Sequence, residues 1–427
     1  MHRRLACRQA PLLPLPPPAA VLTFLKNIFH RPPTAENFAD MVLDALRRAW
    51  PEHTFTLERE KFQIQQSGGL LINLHNIYAD YRRADPAMRR QQLDRFVRGM
   101  VSAGSSEDVY EEVQGRLLPV LRNLSGVDLM RIEAADEKAL TDIMSYCPLS
   151  DDLGIALAID SELNIKQIGD DVLKRWNKTF DDVLQVAVDN LRHQAAPAFH
   201  EVSRGLFASH YGDYYDAARI LVHELIWQLP VGAQPVAMVP NRSCLLVCGA
   251  DNEAALIEMV GQARRILFEE SRPLSADMFV LTDKTWAPWT PPGEPGRALG
   301  RLQRELLASG YAEQKQAMDI AQEQAGTDVF VATHTLVERS ADGQLISYAV
   351  LPRDVHTWLP TADLVLLSEE EGEDPLIVTM ADFLEISGSG AKRLPYVLPR
   401  YEVVEFPDAG CMARLRARAT SMDAVNV

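Results

Sequence analysis

After Pro32-Pro33 the apolar residues Phe38, Met41, Val42, Ala45, Leu46, Ala49 and Trp50 recur three and four apart, which predicts a helix with one buried face, and Thr34 stands where its N-cap belongs. The next apolar positions alternate as Phe55/Leu57, Phe62/Ile64 and Ile72/Leu74 around Ser67-Gly68-Gly69, the pattern of a small antiparallel sheet. A helical stretch carrying Arg82, Arg83, Arg89, Arg90, Arg95 and Arg98 runs to about Val101. Gly104-Ser105-Ser106 then breaks the pattern.

Beyond that break the periods alternate. Strands are expected near Leu117-Arg122, Asp128-Glu133, Leu153-Asp160 and Leu163-Ile168, and a helix from Phe180 to Arg192 with Val183, Leu184, Ala187 and Leu191 inward. A second helix spans about Tyr214 to Gln228, where Pro230 ends it. Two strands, Val236-Val239 and Ser243-Cys248, flank the turn Pro240-Asn241-Arg242; a helix from Glu253 to Phe268 and a strand at Met278-Leu281 follow. Several strands are joined by turns too short for a helical crossover, so the fold class is α+β, a mixed and largely antiparallel sheet with packed helices. The run 290–297, Thr-Pro-Pro-Gly-Glu-Pro-Gly-Arg, reads as a linker to a smaller β-rich domain. That domain opens with a helix around Leu302-Leu307, continuing towards Met318 and Ile320. Its strands are Val329-Val337, Leu345-Val350, Ala362-Leu367, Leu376-Thr379 and Tyr401-Phe406. The division is thus 34–289, with a sub-boundary near 104, a linker at 290–297, and 298–427.

Composition adds exclusions. At 427 residues the chain exceeds one usual domain, and 47% apolar with 24% charged residues is an ordinary globular balance. A formal net charge of −16 disfavours nucleic acid. The arginine run near 82–98 is read as the solvated face of a helix rather than an anion patch. Five scattered cysteines suit a reducing, cytoplasmic setting. Cys244 and Cys248 lie about 13 Å apart on one strand, too far for a disulfide. Residues 1–33 carry a proline tract, Pro11 to Pro18, that breaks any signal-peptide helix. They are expected to be disordered or wrongly included, with Val21 as the true initiator. No stretch is apolar for long enough to insert in a membrane.

Five pieces in order, Phe55-Thr56-Leu57-Glu58-Arg59-Glu60, Leu118-Pro119-Val120-Leu121-Arg122, Leu153 to Asp160, Tyr215 to Leu221 and Val239-Pro240-Asn241-Arg242, give residues 38–281 a resemblance to the uncharacterised bacterial YtpQ-like family, a domain of unknown function. The resemblance implies a bacterial cytosolic α+β protein and no activity. Ser243 departs from it, standing where the resemblance implies an acidic residue.

No Gly-x-x-x-x-Gly-Lys phosphate loop and no Gly-x-Ser-x-Gly elbow occur, and His223-Glu224 lacks its second histidine because Trp227 stands there. Metal and cofactor are therefore not predicted. Gly388 to Arg393 is read as a connection rather than an anion loop, and Glu369 to Asp374 as a hairpin tip rather than a calcium loop. The densest chemistry is Ser209 to Asp216 with Arg219 and His223. On one helix, Asp216, Arg219 and His223 would share a face and could move a proton or hold a small anion. The candidate ligand-binding residues are His210, Tyr211, Asp213, Tyr214, Asp216, Arg219 and Arg242, with the helix start facing the turn at 240–242. The structural reading, in which Asp213 caps the helix and Arg219 pairs with Asp216, stands ahead of the functional one for this cluster. The preferred function is a binding or interaction protein for an unknown protein or a small polar ligand. The alternative is a hydrolase-like small-molecule enzyme using the His210 to His223 cluster.

Overall fold

The computed structural model describes residues 32–67, 71–102, 108–133, 144–161, 165–194, 198–340, 342–369 and 373–422. The expectations for residues 1–31, including the Val21 start, and for the Gly104 break lie outside the described residues. The chain divides into two compact units, Met1–Gly104 and Ser105–Val427.

In the first unit, α1 (Ala35–Ala49) is capped by Thr34, whose hydroxyl accepts from the Asn37 N–H at 3.3 Å. Phe38, Val42 and Leu46 pack on Phe55, Ile64 and Ile72 of the antiparallel sheet β1 (Phe55–Glu58), β2 (Gln63–Gln66), β3 (Leu71–Asn73). Two helices close this core, α2 (His75–Arg83) and α3 (Arg89–Ser102). Arg82, Arg83, Arg90, Arg95 and Arg98 are exposed on them, as a solvated helix face requires.

The second unit is also α+β. After α4 (Tyr110–Val113), strands β4 (Leu117–Asn123), β5 (Tyr146–Pro148), β6 (Leu153–Asp160) and β7 (Ile165–Gln167) form an antiparallel sheet centred on β6. The strand expected at 128–133 is instead part of α5 (Leu124–Glu133). Its first-turn N–H groups find side-chain acceptors, Ser125 on Asp152 at 2.7 Å and Gly126 on Asn123 at 2.5 Å, which stabilises a helix start that hydrophobic alternation does not reveal. Helices α6 (Asp170–Trp176) and α7 (Phe180–Gln194) follow.

A six-stranded antiparallel sheet runs in the order β13-β12-β10-β11-β9-β8, built from β8 (Phe199–Ser203), β9 (Leu206–Ser209), β10 (Pro235–Asn241), β11 (Cys244–Gly249), β12 (Met278–Thr282) and β13 (Thr285–Pro288). One face buries Ala237, Val239, Leu245, Val247 and Phe279 with Leu121, Leu153 and Ile155 of the smaller sheet. The other buries Met238, Leu246 and Met278 under α9 (Glu253–Glu269). Between β9 and β10 the expected helix from Tyr214 to Gln228 is absent. A 310 turn (Ala217–Leu221) and one turn of helix, α8 (His223–Ile226), replace it.

The Pro/Gly run 290–297 is not a linker. Gly293, at φ +74°, opens α10 (Gly293–Ala325), 33 residues long. Pro295 sits in the first turn, where its missing N–H removes no intrahelical bond. A side chain at Gly296 would come 2.0 Å from the Pro291 carbonyl oxygen, so the close crossing demands glycine. Helix α10 packs Leu299 and Leu302 into the core beneath α9, and further along Tyr311 and Gln314 bond the carbonyls of Pro399 and Leu398. It therefore belongs to both parts that a linker would separate.

The remaining region is strand-rich. One sheet is β15 (Thr335–Glu338), β16 (Leu345–Pro352), β18 (Leu364–Ser368), β19 (Leu376–Thr379); the other is β14 (Phe330–Val331), β17 (Thr357–Pro360), β21 (Arg400–Val403), β20 (Lys392–Arg393). Only the pairs β16/β18 and β14/β17 are parallel among these. The shared core takes in Phe383 of α11 (Met380–Ser387) and Leu415 of α12 (Ala409–Arg416). Among the described residues no helix is long and apolar enough to cross a membrane.

Candidate functional site

The loop that follows β9 holds itself. Ser209 Oγ accepts from the Leu245 N–H at 3.0 Å, which anchors the loop on β11. Buried Asp216 accepts from the N–H groups of Tyr211 at 2.9 Å and Gly212 at 3.2 Å. Asp213 accepts from the Tyr215 N–H at 3.0 Å, and both its oxygens grip Arg219, at 2.8 and 2.5 Å. These side-chain bonds to backbone compete with helix formation, and Tyr214 at φ +68° interrupts it, so the expected helix start does not form. Burial pushes the Asp213 carboxyl up, but the Arg219 guanidinium and the Tyr215 N–H outweigh it, and its pKa lies below the ordinary value.

Arg219 is completely buried, its guanidinium 3.6 Å from the centroid of the Tyr211 ring. It pairs with Asp213, not with Asp216. Val222, at φ −99° and ψ 79°, separates the 310 turn from α8, and His223 stands beside Trp286 with ring centroids 6.5 Å apart. Burial lowers the pKa of that histidine. Asp216, Arg219 and His223 thus do not form the expected shared face. His210 is exposed, its ring edge-on to His200 at 5.6 Å.

The expected convergence of this loop with the turn between β10 and β11 is present. The Ala217 N–H donates to the Arg242 carbonyl at 3.3 Å. Three further links, one of them from a side chain, bring other segments to the same corner. Asn123 Nδ2 donates to the Leu274 carbonyl at 2.8 Å, the Leu274 N–H donates to the Pro240 carbonyl at 2.9 Å, and Asn241 bridges to Pro273. Their sequence neighbours are Arg122, Arg242 and Arg272, from three separate elements, and the charges of Arg242 and Arg272 both act on Arg122. Arg272 lies with its Cζ 5.6 Å from the Tyr214 ring centroid. Both residues have positive φ, +57° and +68°, a conformation that a bulky L-residue holds only when its surroundings impose it.

Arg122 reaches this corner by strand alternation. Leu118, Val120 and Arg122 share one face of β4, on which Ala158 and Ala156 lie beside the first two on β6 and Tyr215 joins the same core. The half-buried guanidinium has its pKa pushed down to about 9, first by burial and then by the Arg242 charge; Tyr215 opposes this and Arg272 adds to it. Tyr215 Oη donates to Asp160 Oδ1 at 2.9 Å, and burial followed by the Asp160 charge pushes the phenol's pKa up. The nearby Glu270 accepts from Asn241 Nδ2 at 2.9 Å. The corner can hold an anion by charge and by guanidinium forks.

Of the sequence candidates, Tyr214 and Arg242 lie in the corner, Tyr211, Asp213, Asp216 and Arg219 staple the loop beside it, and His210 lies outside it. Sequence reasoning missed Arg122, Arg272 and Asp160 as site residues, and placed Tyr215 in the cluster without making it a candidate. Arg122 did leave a signal: it is the charged residue on the inward register of a strand otherwise apolar on that face. Arg272 left none, because its contact with Tyr214 depends on a backbone conformation that arginine rarely adopts.

The other motifs carry less. Burial pushes the thiols of Cys244 and Cys248 up to about 12, so they are poor nucleophiles, and both are free. Gly388–Gly390 forms a 310 turn and Lys392–Arg393 pairs with β21, so this stretch is ordered connection. Glu369 bonds Arg353 and Arg416, while residues 370–372 of the acidic run lie outside the described residues. A cleft of about 1000 Å³ runs along the first half of α10, lined by Arg301, Arg304, Asp342 and Asp363 among others. Its charges pair locally, Arg304 with Asp363 at 2.7 Å, Arg301 with Glu338 at 2.8 Å and Asp342 with Arg339 at 2.6 Å. Among the described residues no three histidine, cysteine or carboxylate side chains cluster as metal ligands would. No family model, no curated protein and no solved structure matches the chain.

Proposed function

We propose that this is a non-enzymatic binding protein whose ligand presents an anionic group to Arg122, Arg242 and Arg272. The observation that supports it most is the convergence of three arginine-bearing segments from separate elements, with Arg122 half-buried among like charges. Groups perturbed by burial together with a neighbouring charge recur at sites that bind ligands. The two strained residues in mutual contact at the same corner point the same way. Against the hydrolase-like alternative stands the dispersal of its acid, cation and histidine: Asp216 accepts from backbone N–H groups, Arg219 pairs with Asp213, and His223 lies beside Trp286.

Native mass spectrometry of the purified protein tests the reading. The wild type should retain, or take up from a mixture of small carboxylates and phosphates, one anion that Arg242→Ala does not hold. Uptake of none of them, or equal uptake by the variant, contradicts it.

A further inference from the structure

We infer that His200 and His210 chelate a divalent transition-metal ion, at a site separate from the arginine corner and independent of the anion reading above. Both residues are exposed, and their rings meet edge-on with centroids 5.6 Å apart and planes at 85°. Strand register brings them together. In the antiparallel pair of β8 and β9, Phe199 stands opposite Ser209 and His200 opposite Ala208, and the His210 N–H donates to the Ala198 carbonyl at 2.8 Å, so the pairing continues one residue past β9. His200 and His210 are therefore diagonal neighbours on one face of the hairpin, within the reach of ring side chains.

The backbone that carries the pair is held in place. On one side of His210, Ser209 Oγ accepts from the Leu245 N–H; on the other, Asp216 accepts from the Tyr211 N–H. Phe199 and Tyr211, each next in sequence to one of the histidines, pack ring against ring with centroids 6.1 Å apart. Two ligands projecting from fixed backbone lose little further freedom when an ion joins them. Among the described residues no hydrogen bond or ion pair engages either imidazole, so their nitrogens are available as donors to a metal.

Distance and ligand type fit the ion class. An imidazole nitrogen binds zinc at about 2.0–2.1 Å, which puts the ring centroid about 3.2 Å from the metal. Two rings at a tetrahedral angle then have centroids about 5.2 Å apart, and a small side-chain rotation brings the observed 5.6 Å to that value. The adjacent carboxylate of Glu201 accepts from the Gly205 N–H at 2.8 Å, which leaves the two imidazoles as the protein ligands, with water to complete the shell. Nitrogen donors suit copper, nickel and zinc, whereas magnesium and calcium take oxygen. The chain's net charge of −16 favours a cation.

Titration calorimetry of the full chain with Zn2+, Cu2+ and Mg2+, in a non-coordinating buffer near neutral pH, tests the site. Zn2+ should bind, Cu2+ should bind tighter, and Mg2+ should not bind there. His200→Asn and His210→Asn should each weaken Zn2+ by about tenfold or more, because either change leaves one ligand where two acted together. The double variant should lose little beyond either single one, the non-additivity expected of a chelating pair. Both side chains are exposed, so these changes leave the fold intact. Binding of neither Zn2+ nor Cu2+ overturns the inference. Zn2+ affinity unchanged in either single variant also overturns it, because the ion would then sit elsewhere or on one histidine alone.

Discussion

Beneath the second half of α10, Arg400 is completely buried, and its guanidinium ends on neutral oxygens. Nε donates to Gln314 at 2.7 Å, Nη1 to the carbonyls of Ala332 at 2.8 Å and Trp358 at 3.1 Å, and Nη2 to that of Tyr311 at 3.4 Å. At the corner between β4 and the β10–β11 turn, Arg122 is only half-buried, donates to the neighbouring Leu121 carbonyl at 3.2 Å, and faces two other arginines. Burial lowers the pKa of both, to about 10 at Arg400 and about 9 at Arg122. At both, burial is the first cause; at Arg122 the Arg242 and Arg272 charges add to it, while at Arg400 Tyr311 and Asp319 oppose it. Arg400 is a buried charge satisfied by its own fold, whereas Arg122 is set among like charges.

The largest effect that separates the two regions is on stability. Arg400→Met should lower the unfolding free energy by about 4 kcal/mol, since four acceptors lose their donor inside the core. Urea unfolding followed by circular dichroism measures this. A loss below about 1 kcal/mol would place Arg400 in the same class as the corner arginines and remove the contrast.

A somewhat smaller effect concerns His334, which stacks on Tyr311 with ring centroids 4.8 Å apart. Among the described residues neither of its ring nitrogens meets a hydrogen-bond partner on another side chain or backbone group. Burial lowers its pKa to about 4; Asp363 opposes this, while Arg400 and Arg304 add to it. Between pH 4 and the unfolded value of about 6.5 the unfolded chain binds the extra proton, so acidification across that window removes up to about 3 kcal/mol of stability. His334→Phe keeps the stack and should abolish this share of the pH dependence. Asp152 acts in the opposite sense. Burial raises its pKa to about 6, so its contribution falls as pH rises from about 4 to 6. Comparing the variant with the wild type across pH 4 to 6.5 therefore isolates His334. Parallel profiles for the two proteins would contradict the assignment.

Much of the architecture was legible in the sequence. Periodicity marks α1, β4, β6, α7, β10 to β12 and β19 because each buries one continuous face. It fails where side chains, rather than apolar spacing, determine the backbone. Asp152 and Asn123 make a helix of 124–133, and Asp213 and Asp216 prevent one over 214–228. It fails again at 290–297, where proline and glycine shape a helix start instead of a linker. At the site, the approach of the loop to Arg242 followed from the order of elements. The pairing of Arg219 with Asp213, and the arrival of Arg122 and Arg272, depend on contacts between residues distant in sequence. Short-range spacing carries no record of them.

The most direct test of the central contrast is a phosphate titration followed by the arginine Nε–H resonances of the 15N-labelled protein. Arg122, Arg242 and Arg272 should shift with one common dissociation constant, while Arg219 and Arg400, held by Asp213 and by core carbonyls, stay in place. Shifts at Arg219 or Arg400 as large as those at the corner, or no shift at the corner, would contradict the account.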